Sequence, residues 1–436
     1  MRIALVETRG EKYAVNKDLA GTFGTSTDTG TGLFSKILNK IKRKGVRVPV
    51  LYLGYMYSIF KNEGHDVKFF DSAPDEEFDI VIMASSTVDY ENEIVLAKKI
   101  KSTTNSKVGF IGAFATTNPD LFLKFSDFII AGEPEEATIR IARGEIEPKG
   151  VIVSQLLDNL DQLPFPTWDD HKIKEFSYYP HLKTKPFFQI LSSRGCPYDC
   201  NYCPYMVLET PAWRKRTPKN VADEMEYLIK KYGMKSFLFR DPVFTLDKKR
   251  TGEICEEMLR RKFKLDWICE TRIDTLDENL LDLMKKSGCK GMNIGVEAFD
   301  LDLLRKMNRK PASHELQERL VNYAEKIGIK VMAFYVLGIP GQTKNDIEKT
   351  IQYSKHLNSS LAQFTIATPY PGTKFHDEVK NEIVNDSNWN EYTAYTSLIK
   401  LKNISSNELL EYKERAFKEY YLRWKWIKKR ALKVLL

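Results

Sequence analysis

Two series of alternating strand and helix patterns, parted by a proline-interrupted stretch, predict an α/β chain. The expected order is an N-terminal doubly wound parallel sheet, a partial (β/α)6 barrel and a C-terminal helical extension. Three observations carry this. Apolar strand runs alternate with amphipathic runs in residues 1–149 and again in 187–380. The linker between them, 150–186, contains Leu163-Pro164-Phe165-Pro166-Thr167-Trp168, where two prolines forbid regular structure. Beyond 380 the barrel pattern stops, and 381–436 is read as the extension.

In the first series, residues 2–7 (RIALVE) read as a strand. A Gly/Thr/Ser-rich stretch at 21–32 is too poor in apolar residues for core and reads as part of a long loop. A basic segment at 36–47 leads into helical spacing over 48–62, a turn at Gly64 and a strand at 66–70. A strand at 79–84, a helix at 90–101 and strands at 107–111 and 125–131 follow. Ligands on such a sheet bind beyond the carboxyl ends of its strands. Those ends are Ser85-Ser86-Thr87, Gly112-Ala113-Phe114 and Gly132-Glu133-Pro134. No G-x-G-x-x-G follows the first strand, which argues against a dinucleotide.

The second series places strands at 187–191, 236–240, 266–270, 291–295, 331–337 and 362–367. Helices at 221–231, 248–262, 278–287, 314–327 and 343–357 separate them. In a barrel of this kind, chemistry belongs at the carboxyl ends of the strands. Asp241, Arg272, Glu297, Gly341 and the Pro371-Gly372 turn lie there. Carboxylates and an arginine on one rim suit a zwitterionic ligand. Residues 408–436 read as one or two helices, and their last part, with Trp424 and Trp426 among lysines and arginines, suits a solvated helix or one resting on anionic lipid.

With 436 residues, the chain has room for two or three domains. Its 42% hydrophobic and 29% charged residues are those of a globular protein. The first residues lack the apolar core of a secretion signal and no apolar run reaches membrane-span length, so the expectation is a cytoplasmic protein, with membrane association only through the tail. The net charge of +8 gathers largely in 36–47 and the tail, and no nucleic-acid-binding motif accompanies it. Nucleic acid is therefore not expected as a partner.

Directly after the first barrel strand, Cys196, Cys200 and Cys203 form a C-x3-C-x2-C loop. Three thiolates on one loop can hold a soft metal centre and leave a fourth position vacant, as in an iron-sulfur cluster with one iron open to a ligand. A structural zinc loop completed from elsewhere and three unrelated buried thiols are the competing readings. The other cysteines, Cys255, Cys269 and Cys289, are scattered singly and suggest no disulfide framework.

The cysteine spacing, Tyr202 just before the last cysteine and the strand in front together resemble the radical S-adenosylmethionine (SAM) superfamily. That resemblance implies a [4Fe-4S] cluster on Cys196, Cys200 and Cys203, with SAM chelating the fourth iron and cleaved to a 5'-deoxyadenosyl radical. It further implies an external one-electron reductant such as flavodoxin or ferredoxin. The N-terminal unit, through 47–54, Gly64-His65-Asp66-Val67 and 131–135, is similar to the cobalamin-binding, Rossmann-like domain that precedes the TIM-type partial barrel in one large subfamily. The D-x-H-x-x-G motif for a histidine ligand to cobalt is absent, and His65 reads as a surface residue. Cobalamin contacts are implied at Ser85, Ser86, Thr87, Gly112, Gly132 and Glu133.

By the same resemblance, Asp241 would hold the SAM amino group, Arg272 and Glu297 would face its carboxylate or ribose, Tyr202 would lie against the adenine, and the Gly341 turn would let backbone approach the nucleoside. The activity implied is cobalamin-dependent methyl transfer to an unactivated carbon of a small-molecule, lipid or natural-product substrate. A radical cyclase or rearrangement enzyme of the same architecture is the first alternative. A non-catalytic cobalamin or iron-sulfur carrier or sensor is the second.

Overall fold

The computed structural model describes residues 1–8, 17, 23–25, 28–385 and 388–428. The first series folds as β1 (Arg2–Val6), α1 (Leu33–Gly45), β2 (Val46–Arg47), α2 (Leu51–Asn62), β3 (Asp66–Phe70), β4 (Ile80–Ala84) and α3 (Tyr90–Thr103). It continues with β5 (Lys107–Ile111), α4 (Ala113–Thr117), α5 (Pro119–Leu123), β6 (Phe128–Ala131), α6 (Glu135–Ala142) and β7 (Gly150–Val153). Six strands form a parallel sheet in the order β3-β1-β4-β5-β6-β7. The order reverses at β1, so the crevice between β1 and β4 is the switch point where ligands of such sheets sit.

The basic segment, to which the sequence assigns no structure, falls largely in a helix, α1, since nothing in it breaks one. Two sequence expectations change here. The strand expected from 125 begins at Phe128. The linker expected from 150 opens with β7, which pairs in parallel with β6. Four residues with alternating exposure are too short a signal to stand out in the sequence. Of the loop expected at 21–32, residues 21–22 and 26–27 lie outside the described residues.

The second series begins after β8 (Ser177–Tyr178), which pairs antiparallel with β2. It runs β9 (Phe187–Ile190), β10 (Ser193–Arg194), β11 (Arg214–Lys215), α7 (Pro218–Tyr232), β12 (Ser236–Phe239), α8 (Lys248–Arg260), β13 (Asp266–Thr271) and α9 (Glu278–Lys286). Then come β14 (Cys289–Glu297), α10 (Leu301–Lys306), α11 (His314–Lys326), β15 (Lys330–Leu337), α12 (Lys344–Leu357), β16 (Leu361–Ile366), α13 (Lys374–Glu378) and α14 (Ser406–Tyr421). The strands β9-β12-β13-β14-β15-β16 form one parallel sheet that does not close, leaving β9 and β16 as its edges. The helices start where the chemistry dictates: Thr217 and Pro218 open α7, and Thr343 with Asp346 forms a capping box on α12.

Alternation along β15 shows which side of this sheet is filled. Val331, Ala333, Tyr335 and Leu337 are fully buried under the outer helices, whereas Met332, Phe334 and Val336 on the opposite face are only partly covered. The barrel interior is therefore open to a ligand. At its base, His181 sits against Gly291 and bonds Lys330 O at 3.2 Å, with burial pushing its pKa down to about 4.

The extension departs from an all-helical reading. Residues 388–398 fold back in short turns onto the first sheet, where Trp389 packs on Phe114 and Tyr392 O accepts from Thr87 Oγ1 at 3.0 Å. Of the tail aromatics on which a lipid contact was expected, Trp424 is 74% exposed, whereas three others are spent on the barrel. Tyr420 bonds Ser359, Tyr421 bonds Ala362, and Trp426 Nε1 donates to Ser360 O at 2.9 Å. Residues 429–436 lie outside the described residues, and among those described no helix is long and apolar enough to cross a membrane.

Trp168, from the proline-rich stretch, ties the two sheets together. Its ring stacks on Phe69 of β3 and meets Phe176 edge-on, and its amide donates to Tyr232 of α7 at 2.8 Å. Trp168→Ala is expected to cost about 3–5 kcal/mol, read as a lowered urea midpoint at unchanged slope.

Candidate active site

The cysteine loop starts from a constrained backbone. Gly195 has φ +83, and a Cβ there would sit 2.1 Å from Ala212 O, so only glycine fits immediately before Cys196. Its amide donates to Glu209 Oε2 at 2.7 Å, and Cys196 N donates to Thr210 O. Farther along, Asn201 N donates to Met307 O at the end of α10, and Phe375 N of α13 donates to Asn201 O. The loops after β14 and β16 thus brace the loop after β9.

Cys196 and Cys200 are buried and Cys203 is half-buried. Burial pushes all three thiols above the ordinary thiol range, and at Cys196 and Cys203 the neighbouring cysteines add to it. Among the described residues, no three His, Cys, Asp or Glu side chains close on one point as ligands of a single metal ion must. A [4Fe-4S] cube holds its thiolates farther apart than one ion does. Thiols that stay neutral alone, and ionise together against cationic iron, suit such a cluster.

Around the thiols lies a polar rim. Arg309 acts electrostatically on the Cys200 thiol, donates to Gly295 O at 2.5 Å and pairs with Glu297 at 3.3 Å. Burial works against its charge, but Tyr202, Glu297 and Cys200 hold its pKa raised. Glu297 has φ +69 where the β14–β15 register shifts, a left-handed conformation that costs a non-glycine residue about 1–3 kcal/mol. Arg272 is bidentate on Asp274 at 2.9 and 2.8 Å, with its guanidinium 3.9 Å above the Tyr198 ring centroid. The Tyr202 hydroxyl is buried with no hydrogen-bond partner among the described residues. Gly341, at φ +87, has only Leu303 near its Cβ position, at 3.8 Å.

Asp241 does something other than expected. It is fully buried, and its carboxylate accepts from Ser192 N at 3.0 Å, Ser192 Oγ at 2.7 Å and Ser193 Oγ at 2.5 Å. It therefore fixes the strand that leads into the cysteine loop. Arg309, Glu209 and Tyr205 were not singled out by sequence reasoning. Arg309 sits in a basic stretch that reads as solvated, and nothing in a single sequence distinguishes it from Arg305. Tyr205 instead joins a part-buried trio, with Arg240 and Glu270 on its hydroxyl.

The rim of the first sheet faces this site, and its side chains are also redirected. Ser85 Oγ donates to Ile111 O, Ser86 bonds Glu93 through amide and hydroxyl, and Thr87 Oγ1 donates to Phe23 O. In the crevice between β1 and β4, Lys17 Nζ bonds Thr8 Oγ1 at 2.7 Å and Glu93 Oε1 at 2.6 Å, and burial pushes Glu93 up to about 7. Among the described residues, each of these hydroxyls donates its proton within the chain. Glu133 is likewise taken, by Arg194 at 2.8 Å and by Arg214. Arg194 also engages both oxygens of Glu135, at 3.0 and 2.6 Å. Gly112 and Gly132 do keep left-handed backbones, at φ +108 and +88. Only Ser154 O lies near a Cβ built on Gly132, at 3.7 Å. From the barrel side, Tyr370 stacks on Phe23 at 4.9 Å with its hydroxyl buried and unpartnered among the described residues.

A family model described as the radical SAM superfamily matches residues 190–354. An uncharacterised methyltransferase of Pyrococcus horikoshii is 28% identical over 87% of this chain and 89% of its own length. The anaerobic magnesium-protoporphyrin IX monomethyl ester cyclase of Rubrivivax gelatinosus is 26% identical over 61% of this chain and 47% of that protein. The structure of TsrM from Kitasatospora setae, a radical SAM methyltransferase with cobalamin and a [4Fe-4S] cluster bound, superposes with a TM-score of 0.64. It covers 87% of this chain and 74% of that one at 15% identity, a likeness of fold.

Two outcomes follow from the loop's supports. Asp241→Ala leaves three buried donors unpaired, so anaerobically reconstituted protein is expected to retain much less iron per chain than the parent, measured by iron and sulfide content. Glu209 is pushed up to about 8 by burial, with Glu133 adding to it. Its folded pKa lies above the ordinary 4.5, so the native state binds the proton more tightly and stability falls as pH rises from 4.5 to about 8. Glu209→Gln is expected to flatten that decline in denaturation midpoints measured across the window.

Proposed function

The chain belongs to the radical SAM superfamily, and from that premise we propose that it is a cobalamin-dependent methyltransferase acting on an unactivated carbon of a small molecule. The observation that carries the reading is the C-x3-C-x2-C loop, braced at the mouth of an open barrel and facing the rim of a doubly wound sheet. Cys196, Cys200 and Cys203 would hold a [4Fe-4S] cluster. Arg309, Glu297, Arg272 and the free Tyr202 hydroxyl would grip the charged and polar groups of SAM beside it, and Gly341 would leave room for the nucleoside. Gly112 and Gly132 would let backbone approach a corrin, with the Tyr370 hydroxyl available from the other side. When bound, the cluster and SAM supply a 5'-deoxyadenosyl radical, and cobalamin supplies the methyl carrier.

In this proposal residues 1–149, with β7 added, are the cobalamin unit. Residues up to 186 connect it to the radical SAM barrel of 187–380, and 381–436 cover both. The residues of the chain bind, orient and exclude water; an external one-electron donor of the flavodoxin or ferredoxin class and a reducing, cytoplasmic compartment complete the picture. A membrane contact forms no part of it.

The test uses protein reconstituted without air with iron, sulfide and cobalamin, then reduced and given SAM carrying an isotopic methyl label and a small-molecule extract. 5'-Deoxyadenosine should form, and the label should appear in a small-molecule product; Cys200→Ala should lose its iron and both products. Deoxyadenosine with all label left in SAM and methionine would instead favour the ring-forming chemistry of the cyclase relative. An intact cluster without SAM cleavage would favour a carrier or sensor.

A further inference from the structure

The open edge of the barrel carries two lysines with no counter-ion among the described residues. On β16, Phe364 packs outward against Phe417 and Tyr420 of α14, so its neighbour Gln363 faces the interior. Gln363 lies in register with Phe334 of β15, and Phe334 with Gly295 of β14, whose carbonyl binds Arg309. One cross-strand row therefore runs from the thiol rim to the edge of β16. Lys42 of α1 meets that row: its Nζ donates to Gln363 Oε1 at 2.8 Å and lies 3.5 Å from the Tyr395 hydroxyl, which Gln363 Nε2 also reaches. The amine sits over the rings of Tyr395 and Phe417, at 5.6 and 5.2 Å from their centroids.

Lys413 of α14 approaches the same tyrosine, donating to Tyr395 O at 2.7 Å. Asp28 and Glu414 act on Lys413 only from a distance, and Glu414 spends its carboxylate on the amides of Thr31 and Gly32 and on Ser35. Neither Lys42 nor Lys413 forms an ion pair among the described residues. Buried cations in proteins are normally paired. With none supplied by the described residues, Lys42, which is half-buried, is held by desolvation and by Lys413 at a pKa of about 7, close to losing its proton at neutral pH.

We propose that Lys42, Lys413, Gln363 and Tyr395 form a subsite that binds an anionic group, a carboxylate or phosphate, of the substrate. The inference rests on the methyltransferase reading above, for which it narrows the substrate class. The anion would approach from the barrel interior, supply the missing counter-charge and fix the molecule at the far end of the row from the thiols. That leaves the carbon skeleton of the substrate over Phe334, between the subsite and the cluster loop. Recognition at such a distance orients the reacting carbon without placing a charge beside the radical chemistry.

The experiment reads Lys42 directly in the full, reconstituted chain. Competitive acetylation with acetic anhydride, followed by peptide mass spectrometry, gives the fraction of neutral Lys42 amine against pH in chloride, acetate or inorganic phosphate at equal ionic strength. The expected midpoint in chloride is near neutrality. An anion that raises it by about one pH unit should slow labelling near neutral pH about fivefold. Protection by acetate alone assigns a carboxylate, and protection by phosphate alone assigns a phosphate. Labelling that follows an ordinary surface lysine, or that ignores both anions while other lysines behave alike in all three salts, overturns the proposal. SAM cleavage measured on the same preparation keeps the two readings apart: anion protection without deoxyadenosine would remove the enzyme assignment and leave the subsite standing.

Discussion

Arg194 is the point through which the two sheets act on each other. It is 2% exposed, directly precedes Gly195 and Cys196, and holds Glu133 and Glu135 from the turn after β6. Arg214, paired to β10 through β11, closes the network on Glu133. Ions this deeply buried are costly to desolvate, and removing one partner from such a group typically costs about 3–5 kcal/mol because the remainder is stranded. The arrangement therefore gives little net stability but a precise register. The turn that ends β6 cannot shift without dragging the cysteine loop. Tyr52 and Tyr55 of α2 lie about this guanidinium, with ring centroids 5.2 and 5.4 Å away, so the first unit surrounds the charge on a second side.

That register explains why the candidate site is shared between units. The barrel contributes thiols and the Arg309–Glu297 pair, the first sheet contributes two left-handed glycines, and residues from beyond the last strand seal the joint. Tyr370 counts with the core of the first sheet although it follows β16, and Gly372 comes so near Thr117 that a Cβ there would lie 2.8 Å from its methyl group. A substrate entering the barrel thus meets walls from both halves of the chain. The partly covered face of β15 supplies its apolar floor.

What a single sequence reveals here is set by the range of the interactions concerned. The barrel strands and the cysteine loop were legible because each depends on a local pattern: a short apolar run, an aromatic residue before the last thiol, fixed spacing of three cysteines. Side-chain roles at the rims were not. Asp241 stands where a ligand carboxylate is expected, but its partners, Ser192 and Ser193, follow a different barrel strand some fifty positions earlier. Glu133 similarly pairs with an arginine sixty-one positions away. Arg309 and Lys42 each sit in a basic stretch that composition alone assigns to solvent. Their burial arises from loops and strands brought in by the fold. In the tail, Tyr420, Tyr421 and Trp426 suit the outer face of β16 as well as they would a lipid boundary, and only Trp424 stays exposed among the tail's described aromatics.

The account stands on a cluster held by Cys196, Cys200 and Cys203, with one iron free to take SAM. Electron paramagnetic resonance on the anaerobically reconstituted, reduced chain tests this most directly. The predicted result is the signal of a reduced [4Fe-4S] cluster that changes shape when SAM is added and is lost in Cys200→Ala. A signal indifferent to SAM, or a loop that takes up zinc and no iron, would contradict it.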